Sequence, residues 1–377
     1  MIETDMVAVG SGMKVTCSRD DLVTRLAIVS RAVSTRTTVL VLGGILLRAE
    51  NGQLHLAATD MELSLRTSFE ANVEGEGAVV VPGRLLVELA RLLPDEEVQI
   101  EHRAEEGVVR IECGSASYRL HTYNVEDFPR LPDVEAIGTF SVDKDALLDT
   151  VARVSRSASR DESRPVLTGI LARFEGGKLV MAATDSYRLS VKETPLEVEA
   201  PELEAIIPAR ALTELSRIAG SADSLELGVH ENQVVFVADG VTLTTRRIEG
   251  QFPNYKQLIP EDYEHTVTLP RTEVLEVVRR VAVMAQRNSP LRLRFAEGEL
   301  TVSAQTQDVG EARESMPAGF TGDPMEIGFN ADFLREGFES VSSDEVHVKL
   351  ISPLRPAVIQ GDADDFTYLV MPIRLPS

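Results

Sequence analysis

Hydrophobic positions recur along the chain with two periods, and the two succeed each other in a fixed order. Period-two alternation opens at residues 13–17, where Met13, Val15 and Cys17 fall on one side of an extended strand. Helical spacing comes next: over residues 20–33, Leu22, Leu26, Val29 and Val33 share one face. The pattern predicts strands at 13–17, 138–142 and 266–269, each leading into an amphipathic helix at 20–33, 144–158 and 271–285. Short alternating strands come after it, then a second helix at 84–93, 210–219 and 331–341, then more strands. Pro82 and Pro208 stand just ahead of that helix, where a fixed φ and a missing N–H cost little. Two helices among many short strands imply an α+β domain of antiparallel sheets with helices on one face.

The second helix has a computable face. At 100° per residue, Leu85, Leu86, Leu89 and Leu92 are expected to form an inward arc of about 120°. Arg84 and Arg91 lie opposite it. The next unit repeats the plan, with Leu212, Leu215 and Ile218 inward and Arg210 and Arg217 outward.

Self-similarity explains the fixed order. Gly52-Gln-Leu-His-Leu-Ala-Ala-Thr-Asp60 returns as Gly177-Lys-Leu-Val-Met-Ala-Ala-Thr-Asp185, and more weakly as Gly298-Glu-Leu-Thr-Val-Ser-Ala304. Val80-Val-Pro-Gly-Arg-Leu-Leu-Val-Glu-Leu89 returns as Ile206-Ile-Pro-Ala-Arg-Ala-Leu-Thr-Glu-Leu215, and then as Ile327-Gly-Phe-Asn-Ala-Asp-Phe-Leu334 without the proline. Phe128-Pro129 returns as Phe252-Pro253, each trailed by a further proline, Pro132 and Pro260. The steps are 125, 121 and 126 residues, so independent anchors agree on one period. The expected organisation is a short extension over 1–12 and three units at 13–136, 137–264 and 265–377.

Composition narrows the function. The 377 residues carry a net charge of −22, which taken alone argues against nucleic acid. The distribution changes that picture: the six helical segments together carry +3, so the remainder carries −25. Exposed helices often mix Arg and Glu for solubility alone, and the third unit's second helix is acidic. Even so, arginines at matched positions in two units suggest a basic face that touches phosphates without reading bases. There is no helix-turn-helix, zinc-finger or RNA-binding signature. Cys17 and Cys113 are far apart and suit a reducing cytoplasm. No run of about 18 apolar residues is present to span a membrane, and the N-terminus lacks the plan of a signal peptide.

An enzyme is the main rival reading. Asp60 and Asp185 could pass for paired catalytic carboxylates, but one per repeat suits a turn or cap. The six histidines, His55, His102, His121, His230, His265 and His347, form no close ligand pair, and no Walker A loop, nucleophile elbow or dinucleotide fingerprint occurs. A passive acidic adaptor that never meets DNA is the second rival.

Three further segments carry a resemblance. Ala183-Thr-Asp-Ser-Tyr-Arg-Leu-Ser190, Gly250-Gln-Phe-Pro-Asn-Tyr255 and Tyr368-Leu-Val-Met-Pro-Ile-Arg-Leu375, in order on a triple repeat, resemble the bacterial β sliding clamp of DNA polymerase III, the processivity subunit of the replicative polymerase. The resemblance covers the chain from Met13 onward. It implies a non-catalytic protein with no cofactor or metal. It also implies a head-to-tail homodimer closed into a six-domain ring, with helices lining a hole for duplex DNA and sheets outside. Arg36, Arg84, Arg91, Arg210, Arg217, Arg279 and Arg280 would face the DNA. The dimer contact is expected near residues 108–113 of one chain and 274–278 of the other.

The family also binds a short motif containing Gln, Leu and Phe, carried by polymerases, the ATP-dependent clamp loader and repair proteins. Matched residue by residue, the implied pocket draws Arg164, Leu167, Thr184, Ser186, Tyr187, Arg188 and Leu189 from one segment. Pro253 and Leu258 come from a second, and Leu369, Val370, Met371, Pro372, Ile373 and Arg374 from the tail. Ser186 and Tyr187 stand where a Gly-His pair is common, Gln257 where a basic residue often occurs, and Thr37 and Leu40 where prolines are usual.

Overall fold

A computed structural model describes residues 12–35, 38–131, 139–196, 202–230, 232–285, 289–306, 310–362 and 365–375. The expected extension before Gly12, Arg36 with Thr37, Pro132 and the 136/137 boundary lie outside the described residues. The chain divides into two compact bodies, residues 1–144 with 214–247 and residues 145–213 with 248–377.

The first body holds two antiparallel sheets. The five-stranded sheet runs Asn72–Gly75, Lys14–Ser18, Glu97–Arg103, Val108–Cys113, Ala116–His121. The eight-stranded sheet runs Phe140–Val142, Leu225–His230, Gln233–Ala238, Val241–Arg246, Leu63–Glu70, Gln53–Thr59, Gly44–Glu50, Gly77–Pro82. Its middle joins two repeats: Val241–Arg246 pairs with Leu63–Glu70, with Leu243 opposite Leu65. Hydrogen bonding across the repeat boundary is why the compact bodies do not coincide with the sequence repeats. Helix Arg19–Val29 buries Leu22, Leu26 and Val29, and the Ser18 side chain accepts from the Asp21 N–H at its start. A 3-10 turn at Ser30–Ala32 ends it, so the α-helix is shorter than the periodicity predicts.

The second body repeats the plan. Its eight-stranded sheet runs Leu203–Pro208, Gly169–Glu175, Lys178–Thr184, Arg188–Pro195, Phe366–Val370, Ala357–Gln360, Glu345–Leu350, His265–Pro270. Its four-stranded sheet runs Gly310–Pro317, Glu299–Thr306, Leu291–Ala296, Met325–Phe329. Again two repeats meet mid-sheet, where Leu189 pairs with Leu369. Helices Arg271–Ala282 and Ala331–Ser340 close the core with Val274, Val278, Leu334 and Phe338, packed among Phe295, Phe329 and Tyr368. Each such side chain contributes roughly 1.5–3 kcal/mol on burial. Helix Lys144–Val154 also passes into a 3-10 turn, Ser155–Ser157.

Three expectations need correction. In helix Gly83–Leu92 the buried line is Leu86 and Ala90, continued by Leu93, while Leu85 and Leu92 are 53% and 78% exposed. Strand Val108–Cys113 is internal, hydrogen-bonded on both sides, and the edge beyond it is Ala116–His121. Val274, Val277 and Val278 are buried in the chain's own core and are unavailable to a partner.

Candidate functional site

The segment Thr184–Arg188 forms a tight turn built by its own side chains. Asp185 Oδ1 accepts the N–H groups of Tyr187 at 2.9 Å and Arg188 at 3.0 Å. Thr184 Oγ1 donates to the Arg188 carbonyl at 2.6 Å and accepts the Ser186 N–H at 3.1 Å. Ser186 is held at φ 80°, in the left-handed region that favours glycine. The first repeat builds the same turn, with Asp60 Oδ1 accepting from Glu62 and Leu63 and Met61 at φ 79°. Asp60 and Asp185 are therefore turn-forming residues, as one copy per repeat suggests.

The turn also presents Tyr187 and anchors the C-terminal segment. Tyr187 is 62% exposed, and its carbonyl accepts the Met371 N–H at 2.8 Å. Ile373 forms a bridge with Gly328. Arg164 donates to the Ser186 hydroxyl at 3.1 Å, and Leu167 is buried in the short helix Pro165–Thr168. Strand alternation then sorts the rest. Leu189 and Leu369 join Leu171, Val180, Phe252 and Tyr255 in one apolar cluster on the sheet face away from the helices. The loop carrying Pro253 and Leu258 covers that cluster, through Phe252 and Tyr255, whose rings pack edge to face at 6.4 Å. Leu258 and Met371 remain 49% and 40% exposed, and Ile373 and Arg374 are exposed as well. Pro372 is half-buried.

Thr184, Arg188 and Val370 are buried, and Arg188 and Val370 point to the helix-covered face. The Arg188 guanidinium bonds Asp185 Oδ2 at 3.1 Å, the Glu336 carboxylate and the Arg156 carbonyl, with the Phe333 ring 4.3 Å away. Burial opposes its charge, but Tyr368 and Glu336 hold its pKa above the ordinary arginine value. Glu336 and Glu339 were legible only as an acidic exception among the helices. In the structure Glu339 receives Arg156 at 2.7 Å and Arg279 at 2.8 Å. The acid on helix Ala331–Ser340 thus neutralises neighbouring arginines. Of the three arginines, only Arg156 lacks an acidic residue three or four positions away, so the sequence carries little signal of this arrangement.

All six described arginines proposed for DNA are exposed. Arg84 pairs with Glu88 at 2.9 Å, Arg217 with Glu214 at 2.5 Å, Arg279 with Glu339, and Arg280 with Glu314 at 2.9 Å. Arg91 and Arg210 lie on the exposed sides of their helices. Cys17 is buried, and burial pushes its thiol up to about 12, so it is no nucleophile at neutral pH. Among the described residues no helix is long and apolar enough to cross a membrane.

Comparison with known families settles the class. Residues 13–132, 141–254 and 256–374 match, in order, the N-terminal, central and C-terminal domains of the DNA polymerase III beta subunit. The chain belongs to the beta sliding clamp family. It comprises three tandem clamp domains, and the family supplies a processivity factor for DNA replication, not a catalyst. A beta sliding clamp of Streptomyces coelicolor is 37% identical, covering 96% of this chain and 100% of that protein. The crystal structure of the Bacillus subtilis DNA polymerase sliding clamp superposes with a TM-score of 0.93 at 26% identity, covering 97% of this chain and 100% of that one. A Bartonella birtlesii sliding clamp bound to griselimycin superposes with a TM-score of 0.89 at 30% identity, over 97% and 100% of the two chains.

Proposed function

We propose that two copies of this clamp pair head to tail into a ring that encircles duplex DNA and tethers its partners through the Leu189–Leu369 face. Its clamp domains are taken as 13–136, 137–264 and 265–377. One observation carries the assembly. At both junctions between repeats within the chain, a strand before the junction pairs with the last strand of the next repeat, giving eight-stranded sheets. The strands in the corresponding positions, Ala116–His121 and Gly310–Pro317, each stand at one edge of the five- and four-stranded sheets, with no further strand of the described residues paired to them. Exposed edges of this kind are normally covered, and a second copy offers each edge the partner type it has elsewhere in the chain. A two-fold arrangement closes both edges at once.

The exposed helix arginines favour DNA in the hole. Arg84, Arg217, Arg279 and Arg280 are each restrained by a nearby carboxylate. A phosphate there meets a positive but partly satisfied group, and weak contacts without base readout leave the ring free to slide. The apolar floor at Leu189 and Leu369, with Leu258 and Met371 exposed beside it, favours a short anchor peptide bearing Leu and Phe. That a related clamp holds griselimycin agrees with a ligand pocket in this family. The replicative polymerase, the clamp loader and repair proteins are the partners this reading names.

The deciding experiment loads the protein onto nicked circular DNA and then linearises it. Retention on circles and loss from free ends is expected. Reversing Arg84, Arg91, Arg210 and Arg217 to Glu should reduce retention while leaving sedimentation unchanged, because all four side chains are exposed. Equal retention on linear and circular DNA would refute encirclement.

A further inference from the structure

The first body carries its own loop-covered sheet face, and it is differently furnished. The loop holding Phe128 and Pro129 lies over strands Gly44–Glu50, Gln53–Thr59 and Leu63–Glu70, as the loop holding Phe252 and Pro253 lies over the second body's sheet. Between loop and sheet is a cavity of about 950 Å³. The repeat step of 125 residues places Ser64, Arg66 and His55 where the second body has Leu189, Val191 and Val180. The apolar floor has become a polar one. Arg66 and Arg48 line the cavity from the sheet and Arg130 from the loop, while Leu46, Phe128 and Leu131 supply apolar wall. Glu50 lies 4.0 Å from Arg48 and 3.8 Å from His55, within ion-pairing range of both.

We propose that this cavity is a second peptide-binding site, selective for a segment in which a carboxylate side chain neighbours an apolar one. Its volume is in the range that buries a ligand of several residues and far exceeds a lone anion. Guanidinium groups reaching in from both sheet and loop match a carboxylate, which they hold by forked, charge-assisted hydrogen bonds. Glu50 and Glu126 on the same lining oppose a chain of phosphates, so nucleic acid is disfavoured while a single carboxylate is tolerated. The apolar wall accommodates the neighbouring side chain. On a protein of net charge −22, an arginine-lined recess is also where an acidic segment meets least repulsion. The site is separate from the Leu189–Leu369 pocket and does not depend on that reading.

The test uses the full chain and a labelled acetyl-Ser-Glu-Val-Ser-Gly amide peptide, which lacks the Leu-Phe pair proposed for the other pocket, with the Gln-for-Glu peptide as its neutral twin. Anisotropy should give sub-millimolar binding of the acidic peptide and about tenfold weaker binding of the twin. Arg130→Glu, in an exposed loop, should weaken the acidic peptide about tenfold or more, and Arg66→Gln should act alike. If Arg66→Gln fails to fold, Arg130→Glu still decides. Leu258→Asp, in the other pocket, should leave the affinity unchanged. Equal binding of the two peptides, unaltered affinity in Arg130→Glu, or loss in Leu258→Asp would overturn the proposal. So would inorganic phosphate competing as well as the unlabelled peptide, which would make the cavity a simple anion site.

Discussion

Arg156 Nη1 and Glu339 Oε2 meet at 2.7 Å, joining the end of the second repeat's first helix to the second helix of the third. Arg279 approaches the same carboxylate from the third repeat's first helix at 2.8 Å. One half-buried glutamate therefore holds two arginines from two repeats, and Arg188 with Glu336 makes a parallel link one helical turn away. These links brace a junction whose strands, carrying Leu189 and Leu369, are already paired through the sheet ladder.

Acid should loosen this junction first. Burial alone would raise the Glu339 pKa, but hydrogen bonds from Arg279 and Arg156 outweigh it and hold the carboxyl below its ordinary 4.5. A carboxyl depressed in the fold contributes its full stability above the unfolded value and loses it as pH falls through the lower folded one. Glu339→Gln should cost about 1–3 kcal/mol at pH 7, for a charge-assisted contact that is mostly shielded from solvent. Below the ordinary carboxylate range the gap between variant and parent should shrink. Urea denaturation at pH 7 and pH 3.5 measures both, and a gap that stays constant between them would show that the carboxylate's charge is irrelevant.

Ser186 gives a second, local prediction. A side chain at φ 80° costs about 1–2 kcal/mol relative to glycine, and glycine returns part of that through the unfolded chain's entropy. Ser186→Gly should raise stability by up to about 1 kcal/mol despite losing the exposed Arg164 contact. Ser186→Val, β-branched in the same conformation, should lower it by about 1–2 kcal/mol. Thermal midpoints of the two variants must move in opposite directions.

How far the chain could be read depends on which rule governs each residue. The repeats, the α+β class and the turn role of Asp60 and Asp185 rest on local pattern and spacing, which sequence carries directly. Helix periodicity located the second helix of each repeat. It could not say how far the arc at Leu85 and Leu92 would be covered, because coverage depends on what packs against it. It also gave no strand order, so Val108–Cys113 read as an edge although Ala116–His121 takes that position. Arg188 and Val370 alternate with Leu189 and Leu369 by strand geometry. Which face meets the helices is set by tertiary contacts far apart in sequence, with Glu336 and Phe333 on the Arg188 side.

The exposed leucines lead to the dimer prediction. Leu85, Leu89 and Leu92 border a shallow groove with Tyr118 and Leu120 of the edge strand. An uncovered apolar stripe beside an unpaired edge is what an association surface requires. Leu85→Glu with Leu92→Glu removes two exposed side chains and should leave the fold intact, with unchanged circular dichroism. The concentration at which the dimer dissociates should rise at least about tenfold, for roughly 1.4 kcal/mol or more lost per interface. Sedimentation of the double variant as a stable dimer at nanomolar concentration would place the interface elsewhere.

The proposed partner pocket supplies the most discriminating test, and point substitutions improve on simple truncation. Deleting residues 371–377 would remove the Met371 bond to Tyr187 and the Ile373 bridge to Gly328, so lost binding could reflect a loosened sheet end. Leu258 and Met371 offer a cleaner choice because about half the surface of each is already exposed, and neither belongs to the buried cluster beneath. A peptide that buries one Leu and one Phe against Leu189 and Leu369 gains roughly 1.5–3 kcal/mol from each before ordering costs. Leu258→Asp and Met371→Asp each place a charge where an apolar anchor must sit, and should weaken a Gln-Leu-Phe peptide about tenfold or more. Both should still dimerise and remain on circular DNA, since neither residue lies on the helix arginine face or these edge strands. Calorimetry with the folded variants decides the matter: peptide affinity equal to that of the parent in both would remove this face from the binding site.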